Sequence, residues 1–413
     1  VRIVLATFGS LGDLHPFLAL AIGLRERGCQ PVIATHELYR QRIQKLGIEF
    51  APLRPDYDPT QEHLNLLSMD PWRGTEVILR EGLFPHLRDT YEDLLVAVQG
   101  ASLLVSHTIA FPSSLVAEKF GLPWVSVSLA PIAMMSPADP PHAAPVPWVN
   151  KIWSFGPTAN RALIGLLRKQ TARWCEPIAQ LRESLNLPRG QHPLFEGQHS
   201  PLLALALFSR VIGQPQPDWP STARQTGFCF LDDARDMPAE LDDFLSAGPP
   251  PVVFTLGSAA VLTAGDFFTE SSRAIEKVGC RAVFIAGKES RIASAGNIFV
   301  TSYAPYSQVF RQAAAVVHQG GIGTTAQGLR AGRPALIVPF AHDQPDNAMR
   351  VVRAGAGLSI PRAKYSAPRA ASVIRELLDN ETYKAGAQRA AASLAQEDGV
   401  AAACSAILSA VSR

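Results

Sequence analysis

Long apolar runs are missing from this 413-residue sequence: the longest, such as Pro201 to Phe208, fall well short of the ~18 residues that a bilayer span needs. Charge of one sign is missing too. The 38 basic and 36 acidic side chains nearly cancel to +2 with no run of like charge, so the electrostatic footprint of a nucleic-acid binder is absent. A neutral or lipophilic partner fits better, and peripheral contact with a membrane surface is compatible with this balance. Cysteine is scarce. Cys29, Cys175, Cys229, Cys280 and Cys404 are widely spaced and never form a C-x-x-C pair, which excludes a disulfide frame and a zinc knuckle and leaves small buried hydrophobes. The opening run Arg2 to Ala6 has neither the basic flank nor the ~10-residue apolar core of a signal peptide, so the expected compartment is the cytoplasm. His36, His63, His86, His142, His192 and His199 are scattered, and Asp232 with Asp233 read as a solvated loop, so no metal is expected.

Hydrophobic residues at 47% and charged residues at 18% describe a globular chain, long enough at ~150 residues per domain for two or three domains. The first forty residues run strand, turn, helix, strand: RIVLAT, FGSLGDLHP, a helix with Phe17, Leu18, Leu20, Ala21 and Leu24 on one face, then PVIAT. LLVS at 103–106 and WVSVS at 124–128 continue as strands around a helical Pro112–Phe120, the rhythm of a parallel sheet wrapped by helices. The proline-rich run from Pro131 to Pro147 reads as a long surface loop facing something apolar. A second breaker-rich stretch, 213–227, reads as an interdomain linker. After it PPVVFTLGS, RAVFIAG, NIFVTSY, AAVVHQGG and PALIVPF restart the strands, and Ala-rich helices close the chain. The expectation is an α/β protein of two Rossmann-like domains, 1–212 and 228–413.

The strongest local signal is HQGGIGTTAQGLRAGRP, His318 to Pro334, in which a strand end runs through a Gly-rich turn into a helix stopped by Gly332 and Pro334. Gly320, Gly321 and Gly323 let backbone approach an anion, Thr324 and Thr325 add hydroxyls, and a helix start favours negative charge, so a diphosphate is the natural ligand. The turn has neither a P-loop lysine nor the G-x-G-x-x-G spacing, which disfavours NTPases and nicotinamide enzymes.

From Tyr303 to Asn347 the ordered motifs YAPYSQVF, HQGGIGTT, GRP and PFAHDQPDN resemble the donor signature of inverting, nucleotide-sugar-dependent glycosyltransferases of the GT-B fold, the branch acting on small molecules in plants and bacteria. That resemblance implies a role for each matching residue. Tyr303 would stack on the base, with the Ala304 backbone reading its edge. The family's phosphate-binding His aligns best with Gln319, and the preceding His318 with the first of a His-His pair of many bacterial members; His318, assisted by Gln319, would reach the diphosphate. Gly323 and Thr324 would close on the phosphates, Gly257 and Ser258 would form a second phosphate-side turn, and Asp343 with Gln344 would contact sugar hydroxyls. Gln327 stands where the family usually has a ribose-binding Glu. A neutral amide binds a vicinal diol less well, so dTDP-sugars are expected to be accepted as well as, or better than, UDP-sugars.

In the first half, GDLHP aligns with the family's G-H-x-x-P, which puts Asp13 in the place of the catalytic base, beside Gly12 on the donor side. His107 falls close to the family's orienting Asp, so an exchanged Asp13–His107 pair is expected, the imidazole holding the carboxylate or taking the proton. His15 would face the acceptor and His342 the sugar or the turn. Phe84, Phe111, Met134, Met135, Trp148, Trp153 and Phe155 are candidates to line an apolar acceptor pocket. The chain is also similar to bacterial rhamnosyltransferases acting on hydroxy-fatty acyl chains and to enzymes acting on polyketides, sterols and flavonoids. The expected reaction is metal-independent hexosyl or deoxyhexosyl transfer to a lipophilic hydroxyl. A nucleotide-sugar 2-epimerase or a non-catalytic nucleotide-sugar-binding module are the alternatives.

Overall fold

The computed structural model describes residues 1–56, 66–142, 151, 153–232, 236–287 and 293–411. Seven strands form the first sheet: β1 (Arg2–Ala6), β2 (Gln30–Thr35), β3 (Glu49–Pro52), β4 (Leu103–His107), β5 (Trp124–Ser128), β6 (Leu203–Ala206) and β7 (Ala223–Gln225). Their order is β3-β2-β1-β4-β5-β6-β7. Six more form the second: β8 (Val252–Thr255), β9 (Ala282–Ile285), β10 (Ile298–Thr301), β11 (Ala315–His318), β12 (Ala335–Ile337) and β13 (Gly357–Ser359), ordered β10-β9-β8-β11-β12-β13. All neighbours run parallel, so the α/β expectation holds for both halves.

Both faces of each sheet are covered, because strands with no polar alternation must bury both. In β1, Ile3 and Leu5 enter one core cluster and Val4 and Ala6 another. In β8, Val252 and Phe254 divide likewise from Val253.

Five helices bear on the site: α1 (Leu11–Glu26), α2 (Pro112–Phe120), α3 (Ile322–Ala331), α4 (Gln344–Arg353) and α5 (Gly399–Val411). Two placements depart from the segment boundaries read in the sequence. Residues 223–225, within the stretch read as linker, pair with β6 as the edge of the first sheet. The last helix, α5, returns to the first half, where Ala403, Cys404 and Ile407 join the core cluster of Leu20 and Leu24 from α1. Val400 and Cys404 crowd Gly23 of α1 so closely that a Cβ there would meet them at 2.8 and 3.0 Å.

Candidate functional site

Each strand order reverses once, between β1 and β4 and between β8 and β11, and ligands of open parallel sheets bind beyond the carboxyl ends of strands at such points. The segments leaving these four strands are Thr7–Asp13, Thr108 onward, Gly257–Ser258 and Gln319–Gly323. The sequence motifs therefore lie at the two switch points.

In the first half, Ser10 caps α1: its hydroxyl accepts from the Gly12 N–H at 3.2 Å, while its own N–H donates to Asp13 Oδ2 at 2.8 Å. The loop before it is fixed by His36 and Tyr39. The His36 Nδ1–H donates to the Pro55 carbonyl at 2.7 Å, which leaves Nε2 to accept the Gly9 N–H at 3.3 Å, and the Tyr39 hydroxyl donates to the Gly9 carbonyl at 3.0 Å. Neither residue carries a motif that would have marked it in the sequence. Asp13 is half-buried at this capped turn, and burial pushes its carboxyl up to about 6 against the Ser10 hydrogen bonds, which lower it.

The structure does not join Asp13 to His107. His107, at the end of β4, packs edge-on against Phe17 with ring centroids 6.2 Å apart. Its Nδ1 has no hydrogen-bond partner among the described residues, and burial pushes it down to about 4, a neutral ring. Phe17 lies one helical turn beyond Asp13 on the same face of α1, so the phenyl ring takes the place beside the imidazole that a dyad would give to the carboxylate. His15 also departs from expectation. Two positions from Asp13 it projects from another face of α1, and its Nε2 accepts from Arg42 Nη1 at 2.8 Å.

In the second half, neighbours at the end of β11 divide their tasks. His318 is buried, its Nδ1 accepting the Gly320 N–H at 3.0 Å and its Nε2 lying toward Gly328 of α3. It braces the turn from beneath, and burial pushes it down to about 3. Gln319 points the other way: a Cβ built on Gly257 would lie 2.4 Å from its Nε2, and one on Gly321 would lie 2.8 Å from it. Gln319, not His318, therefore faces the Gly257 turn. Gly257 has φ +66, and Thr324 Oγ1 is 3.4 Å from its Cβ position, so β8 and α3 close on one spot. Behind it Thr255 Oγ1 and the Tyr306 hydroxyl pair at 2.6 Å, and Thr255 also accepts the Gly257 N–H at 3.3 Å. Ser258 is exposed at the rim.

The Tyr303 backbone is tied to the Thr301 hydroxyl by contacts of 2.9 and 3.3 Å, and Ala304 is buried beside it. Gln327 Oε1 is buried with no hydrogen-bond partner among the described residues. Asp343 precedes α4 and accepts from Asn347 Nδ2 at 2.7 Å, the same amide reaching the Gly320 carbonyl at 2.9 Å. Burial, and then the Asp13 charge, push its carboxyl up to about 7 against the Asn347 bond. The amide oxygen of Gln344 is occupied by the Phe340 N–H at 2.8 Å, so this end of the side chain holds the turn rather than a sugar.

The halves meet where these pieces point. A Cβ on Gly323 would lie 3.5 Å from Gly12 Cα, so the N-termini of α1 and α3 abut. Pro16, inside α1, has no N–H to give the Gly12 carbonyl, which faces that contact. Two positive helix ends brought together favour an anion beside their contact. Across the same cleft His342, strained at φ +58, pairs through Nδ1 with the Thr75 hydroxyl at 3.2 Å.

The acceptor candidates are distributed differently from expectation. Phe84 and Phe111 pack on each other in the core of the first half, with centroids 5.5 Å apart. Met134 enters a cluster that spans both halves, including Phe208 from one and Val351 from the other, and Met135 packs near Trp153. Within the described part of the Pro131–Pro147 loop, Met134 thus packs on the protein's own second half. Phe155 is 78% exposed, and Trp148 lies outside the described residues. A cavity of about 710 Å³ opens beside His107, lined by Phe111, Trp124, Ile178, His199 and neighbours, but by neither Asp13 nor the 303–344 block. Among the described residues no group of His, Cys, Asp and Glu could hold a metal, and no helix is long and apolar enough to cross a membrane.

Residues 3–108 match the glycosyltransferase family 28 N-terminal domain, and residues 283–406 match the C-terminal domain of erythromycin biosynthesis protein CIII-like proteins. The chain is 29% identical to O-mycaminosyltylonolide 6-deoxyallosyltransferase of Streptomyces fradiae, over 98% of this chain and 96% of that one. It is 28% identical to the sterol 3-beta-glucosyltransferase of Penicillium rubens over 98% of this chain, but spans only 30% of that longer protein. The fold is that of the glycosyltransferase VinC, solved in complex with dTDP, with a TM-score of 0.72 at 19% identity and all of both chains covered. With two Rossmann-like sheets facing across a cleft and a family 28 opening, the chain has the GT-B fold, and along its whole length it is similar to glycosyltransferases.

Proposed function

We propose that the protein is an inverting glycosyltransferase that moves a hexosyl or deoxyhexosyl group from a nucleoside diphosphate to a hydroxyl of a lipophilic small molecule. The observation that carries this reading is the abutment of two helix starts at Gly12 and Gly323, with the Asp13 carboxyl on one side and the glycine turn on the other. In this reaction the acceptor oxygen attacks the anomeric carbon from the face opposite the diphosphate. Its proton goes to Asp13 as the bond from that carbon to the diphosphate oxygen breaks. Backbone N–H groups at the start of α3 and the Gln319 amide take up the negative charge that develops on the leaving group. Held at about 6, Asp13 is a stronger base than an ordinary carboxylate and is still ionised at neutral pH. A phenolic hydroxyl, with a pKa of about 10, suits it better than an aliphatic alcohol.

Tyr303 supplies the flat face for the base, and Asp343 binds the sugar hydroxyls. Gln327 offers a neutral amide, a weaker partner for a ribose diol than a carboxylate, so a deoxyribose is accepted at least as well as a ribose. The dTDP complex of VinC agrees with a dTDP-sugar donor, and the deoxyallosyl transfer named for the Streptomyces relative agrees with a deoxyhexosyl group. Calorimetric titration with UDP, dTDP and GDP, followed by mass spectrometry against phenol, sterol and hydroxy-acid acceptors, tests the proposal. Binding of dTDP or UDP and a mass gain of one hexose or deoxyhexose are expected. A chain that binds neither nucleotide would contradict it.

A further inference from the structure

The proline-rich strap of the first half is tied to α4 of the second by a buried charge cluster. Arg350, fully buried on α4, donates from Nε to Asp346 Oδ2 at 2.7 Å, one turn earlier on the same helix. Its Nη1 donates to Asp139 of the strap and, at 2.9 Å, to the Ile212 carbonyl. Arg353 adds a bond to Asp139 Oδ1 at 3.1 Å, and the His142 N–H donates to Asp346 Oδ1 at 3.0 Å. From the other side Asp218 accepts the Ser136 hydroxyl at 2.6 Å and the Ala138 N–H at 2.9 Å. Asp139 and Asp346 balance the guanidinium groups of Arg350 and Arg353, while Asp218 meets only the neutral donors of Ser136 and Ala138. Burying such charges is costly, and an apolar contact would hold the halves together as well, so what charges add here is register.

Register matters because of what lies at the other end of α4. Asn347 fastens the first turn of that helix to the Gly320 carbonyl of the glycine turn and to Asp343, while Arg350 stands one turn further on, about 5 Å along the axis. A rigid helix cannot move at one end alone. A ligand that settles on the glycine turn therefore acts on the strap through α4, and the strap acts back on the turn to the same degree.

We propose that Arg350 and Asp139 are positioning residues that couple donor binding in the second half to the order of the 131–142 strap in the first. The coupling rests on the nucleotide reading given above. Neither residue touches the donor; each acts through α4. The result is that nucleotide binding fixes the strap in register against the second half.

Hydrogen exchange of the full chain, with and without dTDP or UDP, reads this directly, since the Ala138 and His142 N–H groups are bonded within the clamp. Nucleotide is expected to slow exchange across 131–142 by about fivefold or more, the lower end of ordinary coupling between sites. Asp139→Asn leaves Arg350 paired with Asp346, so it is expected still to bind nucleotide, weaker by no more than about the same fivefold factor, and to lose this slowing. Arg353→Met removes the half-exposed arm of the cluster and is expected to weaken the slowing, which keeps the test decisive should Asp139→Asn fail to fold. Nucleotide binding without any change in strap exchange, or full slowing in the variants, would overturn the coupling and leave the functional reading standing. Failure of the unaltered chain to bind either nucleotide would overturn both.

Discussion

Replacing Asp13 by Asn separates two roles that one carboxyl can have at the start of α1. If Asp13 served only as a helix cap, its loss would lower stability and leave turnover alone. If it is a buried base, its ionised form is held in the fold at a cost, and removing it should relieve that cost while stopping the reaction. Burial lifts the carboxyl from an ordinary 3.8 to about 6, so the folded chain holds this proton more tightly than the unfolded one. The stability it contributes is full below pH 3.8 and is lost as pH rises through 6. The total loss is about 3 kcal/mol, of which about 1.4 kcal/mol falls between pH 5 and pH 8. Asn has no proton to lose and keeps an oxygen for the Ser10 N–H. Urea denaturation of both proteins at pH 5 and pH 8 should therefore show the variant gaining about 1.4 kcal/mol relative to the unaltered chain over that interval. In parallel, initial rates with UDP-glucose or dTDP-glucose should fall by about 10²- to 10⁴-fold, the usual worth of a positioned base. A variant whose stability tracks the unaltered chain across this interval, or which keeps its rate within about tenfold, would refute the assignment.

Tyr303→Ala should weaken nucleotide binding by about 1–3 kcal/mol in calorimetry, with Tyr303→Phe close to unaltered, since stacking uses the ring and not the hydroxyl. Gly257→Ala should cost stability by about 1–2 kcal/mol through its left-handed φ of +66. Its Cβ would also expel Gln319 Nε2, now 2.4 Å from that position, and nucleotide affinity should fall with it. Gln327→Glu, restoring a carboxylate for a ribose diol, should shift the ratio of UDP to dTDP affinity toward UDP; an unchanged ratio would remove Gln327 from the account of donor choice.

The alternation of strand and helix was legible because a parallel sheet buried on both faces writes itself as short apolar runs. WVSVS is β5 and Pro112–Phe120 is α2, with the same limits. The glycine turn was legible for a different reason: a strand end, a run of glycines and a helix start are local features. What was not legible depended on partners distant in sequence. The Ala-rich pattern of α5 announces burial without saying that Leu20 and Gly23 of α1 are its partners. His318 and Gln319 are chemically plausible alike, and only the alternation of side chains at the end of β11 sends one beneath the turn and the other toward Gly257. His107 sits at the expected strand end, yet Phe17 occupies its flank, a contact that no spacing encodes. The charge cluster of Asp139, Asp346 and Arg350 joins positions more than two hundred residues apart, where a single sequence carries no signal of contact.

In the proposed reaction a nucleoside diphosphate lies where the starts of α1 and α3 meet and presents its sugar to Asp13. A crystal structure with UDP or dTDP bound tests it most directly. Diphosphate oxygens are expected within hydrogen-bond reach of the N–H groups following Gly320, the base against Tyr303, and the Asp13 carboxyl open to the cleft. Nucleotide bound in the cavity beside His107 with the glycine turn empty would contradict it.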